Sequence, residues 1–122
     1  MKIYLEVIPP LLKDLNQSEA MFIEASSYKK NLENSWEAPF FKLALPHLEG
    51  NNRMDPLDFS AHNPQEKPLI HHRARDFNEE QTHKKAKYME ALGFEDVLIV
   101  YGQGTPKPED GLTSAQAIYI FS

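Results

Sequence analysis

The sequence predicts an α+β fold in which two main helices pack against a mixed sheet of roughly five strands. Three observations support this prediction. Several short segments alternate apolar and polar side chains, two longer segments have the spacing of an amphipathic helix, and the two kinds of segment interleave along the chain. With 122 residues, of which 41% are hydrophobic, the length and composition predict a single globular domain over 1–122.

The first part of the chain predicts strand, helix and strand. Residues 2–8 alternate apolar with polar side chains and end at two prolines, which cannot donate to a strand ladder. Ser18 suits a helix N-cap, and a strand through 39–45 ends at Pro46. One face of the predicted helix carries Met21, Ala25, Tyr28 and Leu32. The contiguous apolar residues 21–23 leave a strand open as the alternative for this helix.

A long loop is predicted over about 46–68, where glycine, asparagine and proline recur. Loops of this length in small domains are often functional. The alternative is a surface excursion held in place by Leu57 and Phe59.

The second part predicts a strand over 69–75, a helix, a strand over 97–100 and a final strand over 116–121. The helix has a capping box, Asn78 with Gln81, and Gly93 suits its end. Its expected buried stripe is Ala86, Met89 and Leu92. The unbroken apolar run of 97–100 predicts a strand covered on both faces.

The best candidate ligand-binding residues lie in the segment HHRARD. In an extended chain, His71, Arg73 and Arg75 share one face and His72 points to the other. Guanidinium groups grip phosphate or carboxylate, and imidazole transfers protons near neutral pH. The alternative is a polar strand edge whose charges meet solvent.

Glu79 and His83 complete the candidate ligand-binding set, because their i, i+4 spacing places them on one helical face. Two ligands do not make a metal site, and a third would have to come from His62, His71, His72 or Asp76. An exposed His83 is the preferred interpretation, so no metal is predicted.

The remaining motif searches yield no catalytic residue. Gly102-Gln103-Gly104-Thr105 follows an apolar strand, but prolines follow it where a phosphate loop leads into a helix. A hairpin-type connection is therefore expected there. There is no cysteine and no GxSxG sequence, and no cofactor is predicted.

Charge and composition restrict the partners and the compartment. The formal net charge of −5 argues against nucleic-acid binding, and the acidity lies mainly outside residues 66–90. The absence of cysteine rules out a disulfide scaffold. With no apolar stretch of membrane-spanning length and no signal-peptide cleavage site, we expect a cytoplasmic protein without membrane contact.

The order of a first strand KIY, the helix-to-strand segment ALGFEDVLIV and a last strand AIYIF resembles small ADP-ribosyltransferase-like domains. The resemblance covers less than half of the chain. Those domains carry His or Arg on the first strand, where this chain has Tyr4 and Leu5. They carry Glu at the last strand, where this chain has Gln116 and Ala117. The resemblance therefore implies a catalytically degenerate domain.

Three functions follow from these observations. The first is a small, acidic, non-catalytic protein-binding module: an inhibitor, immunity protein or regulatory antagonist of another, basic protein. The second is a small enzyme or binder of a phosphorylated or nucleotide-like ligand that uses the segment 71–75. The third is an assembly subunit anchored by the aromatic residues Trp36, Phe40 and Phe41. We expect the first.

Overall fold

The computed structural model describes residues 2–36, 40–48, 52–102 and 109–122, without the side chains of Trp36, Phe40 and Phe41. Its strands are β1 (Ile3–Glu6), β2 (Phe40–Leu45), β3 (Leu69–Arg73) and β4 (Val97–Val100). Its helices are α1 (Ser18–Trp36), α2 (Pro56–Ser60), α3 (Glu79–Ala91) and α4 (Ser114–Phe121). Two 3-10 segments, Leu12–Gln17 and Ala74–Asp76, precede α1 and α3.

The four strands form one sheet in the order β1-β2-β3-β4, and each neighbouring pair is parallel. Helices packed with a sheet were predicted and are present. The prediction of a mixed sheet of about five strands is wrong, because the described strands number four and all run in one direction. Periodicity identifies a strand but carries no information on the direction of its neighbour.

A helix follows each strand, and right-handed connections between sequential parallel strands place the helices on the same face. Their apolar side chains form one cluster with the inward residues of the sheet. Phe22 of α1 lies edge-to-face against Phe59 of α2, with ring centroids 5.0 Å apart. The buried cluster comprises Phe22, Leu43, Leu45, Leu57, Phe59, Ile70 and Met89.

The opposite face of the sheet carries no helix among the described residues. Tyr4 on β1 and Leu98 on β4 are 40% and 43% exposed. The prediction that 97–100 is covered on both faces is therefore wrong for this chain alone. Its Leu98 side chain points away from the helices, whereas Val97 packs against the buried cluster.

The segment 116–121, predicted as the last strand, is helical. Thr113 and Gln116 form a reciprocal capping box that starts α4, and Ala117 is fully buried. The capping side chains pair with backbone amides at the start of the helix. Alternation of apolar and polar side chains gives no information on such a cap. The resemblance to ADP-ribosyltransferase-like domains required a strand here, so this correction removes its basis.

The helix α3 begins with the predicted capping box of Asn78 and Gln81. Its buried residues are Thr82, Lys85 and Met89, so the stripe is rotated from the predicted Ala86, Met89 and Leu92. The helix α1 is present over Ser18–Trp36, but the predicted N-cap role of Ser18 is wrong, because Ser18 has helical backbone angles and its hydroxyl hydrogen-bonds with His62 Nε2.

The buried face of α1 is also shifted, since Phe22 is fully buried and the predicted Tyr28 is 57% exposed.

A short helix, α2, interrupts the predicted loop 46–68. The Asp55 side chain accepts a hydrogen bond from the Leu57 amide at 2.8 Å, and Pro56 occupies the first turn. Proline is favoured there because the first helical amides have no acceptor within the helix. Leu57 and Phe59 are buried, as the alternative of a pinned excursion expected.

Two of the sequence predictions involve residues that are not fully described. The connection after Gly102 passes through residues 103–108, which are not described, but it leads from β4 into a helix, so the expected hairpin is wrong. The proposed aromatic anchor of Trp36, Phe40 and Phe41 lacks described side chains. In the described part of the chain, no helix is both long enough and apolar enough to span a bilayer.

Replacing Gly102 with alanine should lower the free energy of unfolding by about 3 kcal/mol. Its φ is +96°, and an added Cβ would lie 2.6 Å from Arg73 Nε. The Arg73 side chain is buried and has little room to move away. Gly93→Ala is the matched control, since φ is +86° there but the nearest atom is 3.9 Å away. Its cost should be about 1 kcal/mol. Equal losses in urea denaturation would contradict the close contact with Arg73.

Candidate functional site

The parallel sheet brings three chain segments together where the strands end. His47 follows β2, Arg73 ends β3, and Gly102 follows β4. The Arg73 amide donates to His47 Nδ1 at 3.3 Å, and the Arg75 side chain donates to the Gly102 carbonyl at 3.3 Å. Carboxyl ends of parallel strands are the usual place for ligand sites in α/β proteins.

Phe77 lies at the centre of a group of polar side chains at this edge. The His72 ring stacks on it with centroids 4.7 Å apart, and the His47 ring lies 5.9 Å away. The Lys85 ammonium lies 4.7 Å from the same ring centroid. We name His47, His72, Phe77 and Lys85 the Phe77 cluster.

His72 is fully buried, and neither ring nitrogen has a hydrogen-bond partner among the described residues. Its ring also packs against the ring of Phe121 in α4, with centroids 4.9 Å apart. Burial, followed by the positive charge of Lys85, lowers the pKa of His72 to about 3. The imidazole is therefore neutral at physiological pH.

A carboxylate–ammonium pair joins α2 to α3. Lys85 Nζ donates to Asp55 Oδ2 at 3.3 Å, while Asp55 Oδ1 caps α2. Burial lowers the pKa of Lys85, and Asp55 opposes this shift. Burial and the neighbouring Asp55 carboxylate raise the pKa of Asp58.

A cleft of about 490 Å³ opens between α2 and α3, beside the Phe77 cluster. Its apolar surface comes from Leu57 and two rings, those of Phe77 and Tyr88. Its polar groups are two carboxylates, two lysines and an amide. The complete lining is Asp55, Leu57, Asp58, Phe77, Gln81, Lys84, Lys85 and Tyr88.

Arg73 and Arg75, which were predicted to bind a ligand, lie at the sheet edge, but their guanidinium groups contact other residues of the protein. Arg73 Nε lies 3.0 Å from Asp76 Oδ2, and the Arg73 side chain is almost completely buried. The Arg75 guanidinium lies 5.4 Å from the Tyr101 ring centroid. Because β3 ends at Arg73, the predicted common face of His71, Arg73 and Arg75 does not extend to Arg75.

The other predicted residues lie apart from this edge. His71 lies on the open face of the sheet, which is the face without a helix among the described residues. Burial lowers the pKa of His71, and the nearby Glu6 carboxylate opposes this shift. Glu79 and His83 share a face of α3, 3.8 Å apart and exposed, as their spacing predicted. The six residues therefore occupy several surfaces.

The predicted set lacks the residues that form this edge and the cleft: His47, Asp55, Asp58, Phe77, Gln81, Lys84, Lys85 and Tyr88. The Asp-Pro pair at 55–56 is a helix-start signal within a region that composition marked as loop. Position alone could have indicated His47, which comes directly after the proline that ends a strand. Lys85 shows no local signal, since its burial depends on the packing of α3. The described residues contain no group of three or more potential metal ligands placed to hold an ion.

No protein-family model and no curated protein matches this chain.

Acid should destabilise this protein through His72. The folded state keeps His72 neutral down to pH about 3, whereas the unfolded chain binds a proton near pH 6.5. The free energy of unfolding should therefore fall as pH drops through this window, by about 3 kcal/mol between pH 7 and pH 4. His72→Phe, measured by urea denaturation at each pH, should remove that part of the slope. An identical pH slope in the variant would contradict the account.

Proposed function

We propose that this protein binds a small phosphorylated, ring-containing ligand of the nucleotide class in the cleft between α2 and α3. The observation that carries the proposal is the lining of that cleft, where two lysines, two carboxylates and two aromatic rings meet between α2 and α3, beside the Phe77 cluster. The predicted ligand class is retained, but its site moves from the segment 71–75 to the cleft.

Each part of such a ligand has a complementary group in the lining. Phe77 and Tyr88 offer ring faces for stacking, and Tyr88 is 53% exposed. Lys84 is exposed, and its ammonium attracts phosphate. Asp58 has no ion-pair partner among the described residues and accepts hydrogen bonds from hydroxyl groups.

Lys85 has a different role from Lys84. Its ammonium is held by Asp55 and covered by Phe77, so it neutralises the Asp55 carboxylate at the cleft wall. Without it, Asp55 would repel a phosphate group. The proposal therefore assigns phosphate contact to Lys84 and charge compensation to Lys85, and it assigns no catalytic step.

The protein-binding role predicted from the acidic composition remains a second candidate. Its support is the net charge of −5, which steers association with a basic protein. No cluster among the described residues favours a particular surface for such a partner, so we rank it below the cleft.

Lys84→Gln should weaken AMP binding about tenfold, because it removes one charge-assisted phosphate contact. Isothermal titration calorimetry with AMP measures the dissociation constant, and adenosine, which lacks the phosphate, should bind the wild type and the variant alike. Lys87→Gln is the matched control, since Lys87 is an exposed lysine of α3 outside the cleft.

Two results would overturn the proposal. One is the absence of AMP binding at millimolar concentration. The other is equal weakening by Lys84→Gln and Lys87→Gln, which would indicate general charge attraction.

A further inference from the structure

The uncovered face of the sheet conflicts with the usual behaviour of parallel sheets. Sheets made only of parallel strands occur almost exclusively with both faces covered. Here the helices cover one face, and on the other Tyr4 and Leu98 are 40% and 43% exposed, although Ala44 and Arg73 on that face are buried. The apolar run Val97–Val100 is typical of a strand buried on both sides. Both observations indicate that another surface covers this face.

The topology restricts what that surface is. The strands are sequential, parallel and each followed by a helix, which is the repeating unit of the eight-stranded β/α barrel. Four such units make half of the eight. Within the described residues, β1 and β4 each pair with a strand on one side only. In a barrel, the free edge of β4 pairs with a parallel strand that is followed by a helix. The strand β1 is such a strand.

We propose that the open face is a self-association surface, on which a second copy of this chain closes an eight-stranded barrel. The β4 edge of each copy pairs with the β1 edge of the other, and both open faces become the barrel interior. A two-fold axis relates the copies, so the two β4–β1 junctions of the barrel are identical.

The side chains on the open face suit such an interior. The register places Tyr4 beside Lys42, Glu6 beside Ala44, and His71 beside Leu98. Lys42 already forms an ion pair with Asp96 at 2.8 Å, so its charge is compensated before burial. The small Ala44 between larger neighbours matches the filling of an eight-stranded barrel, which has room only for side chains.

The first test is the mass of the protein in solution by light scattering. The chain has a mass of 14.0 kDa, and the proposal expects twice this value at micromolar concentration. Leu98→Lys should give the monomer, because it places an ammonium inside the barrel. Leu92→Lys is the matched control, since Leu92 is a similarly exposed leucine at the end of α3, away from the open face. Circular dichroism should show both variants folded.

The second test identifies the edges that meet. The chain has no cysteine, so Tyr4→Cys combined with Leu98→Cys supplies the only two thiols. Three strand spacings separate β1 from β4 within a chain, about 14 Å. A bis-maleimide crosslinker that spans one strand spacing joins adjacent edges, and products that join two copies are identified by twice the mass of the chain. Closure predicts covalent dimers and no larger species.

The outcomes are decisive in both directions. A monomer at high micromolar concentration would overturn the proposal, as would a dimer that Leu98→Lys leaves intact. A ladder of crosslinked trimers and larger species would show open edge-to-edge growth and would also overturn it. A complex with a different protein that excludes the dimer would assign the face to that partner.

Discussion

The sequential parallel order of the strands is the constraint on which the rest of this structure depends. A parallel connection must cross the sheet, and right-handed crossing in a single direction puts every helix on one side. That arrangement creates the buried cluster around Phe22 and Phe59. It also leaves the other face without a helix among the described residues, and β1 and β4 each pair with a strand on one side only. The core and the proposed self-association surface are therefore two results of one topology.

The same order gathers the polar groups. Every strand ends at the same edge, so His47, which follows β2, and His72, which lies in β3, reach one aromatic ring. The positive charge of Lys85 lies over that ring and is held by Asp55. Neutral His72 is compatible with this nearby cation, whereas protonated His72 would repel it. The electrostatics of the edge thus favour one charged ammonium and one neutral imidazole.

The sequence predicted local features well where side chains signal them locally. The capping box of Asn78 and Gln81 marked the start of α3, and alternation marked β1. It failed where a short apolar segment suits two structures. Residues 116–121 alternate like a strand, but the cap from Thr113 and the burial of Ala117 favour a helix. The direction of the strands could not be predicted either, because side-chain alternation is the same for parallel and antiparallel neighbours.

The candidate site was only partly predictable for a related reason. The segment 71–75 was predicted to be extended throughout, whereas β3 ends at Arg73, so only part of the predicted arrangement is present at the sheet edge. The cleft, however, is formed by residues from two helices and a loop, and Lys85 is polar in sequence yet buried by packing. Local patterns do not show which distant residues come together.

The central claim, that a half-barrel sheet is completed by a second copy, is tested most directly by nuclear Overhauser contacts between copies. A sample mixed from labelled and unlabelled chains reports only intermolecular contacts. The account predicts contacts between β1 and β4, including Tyr4 with residues of β4, which lie three strand spacings apart within one chain. Intermolecular contacts confined to the helices, or none at all, would contradict it.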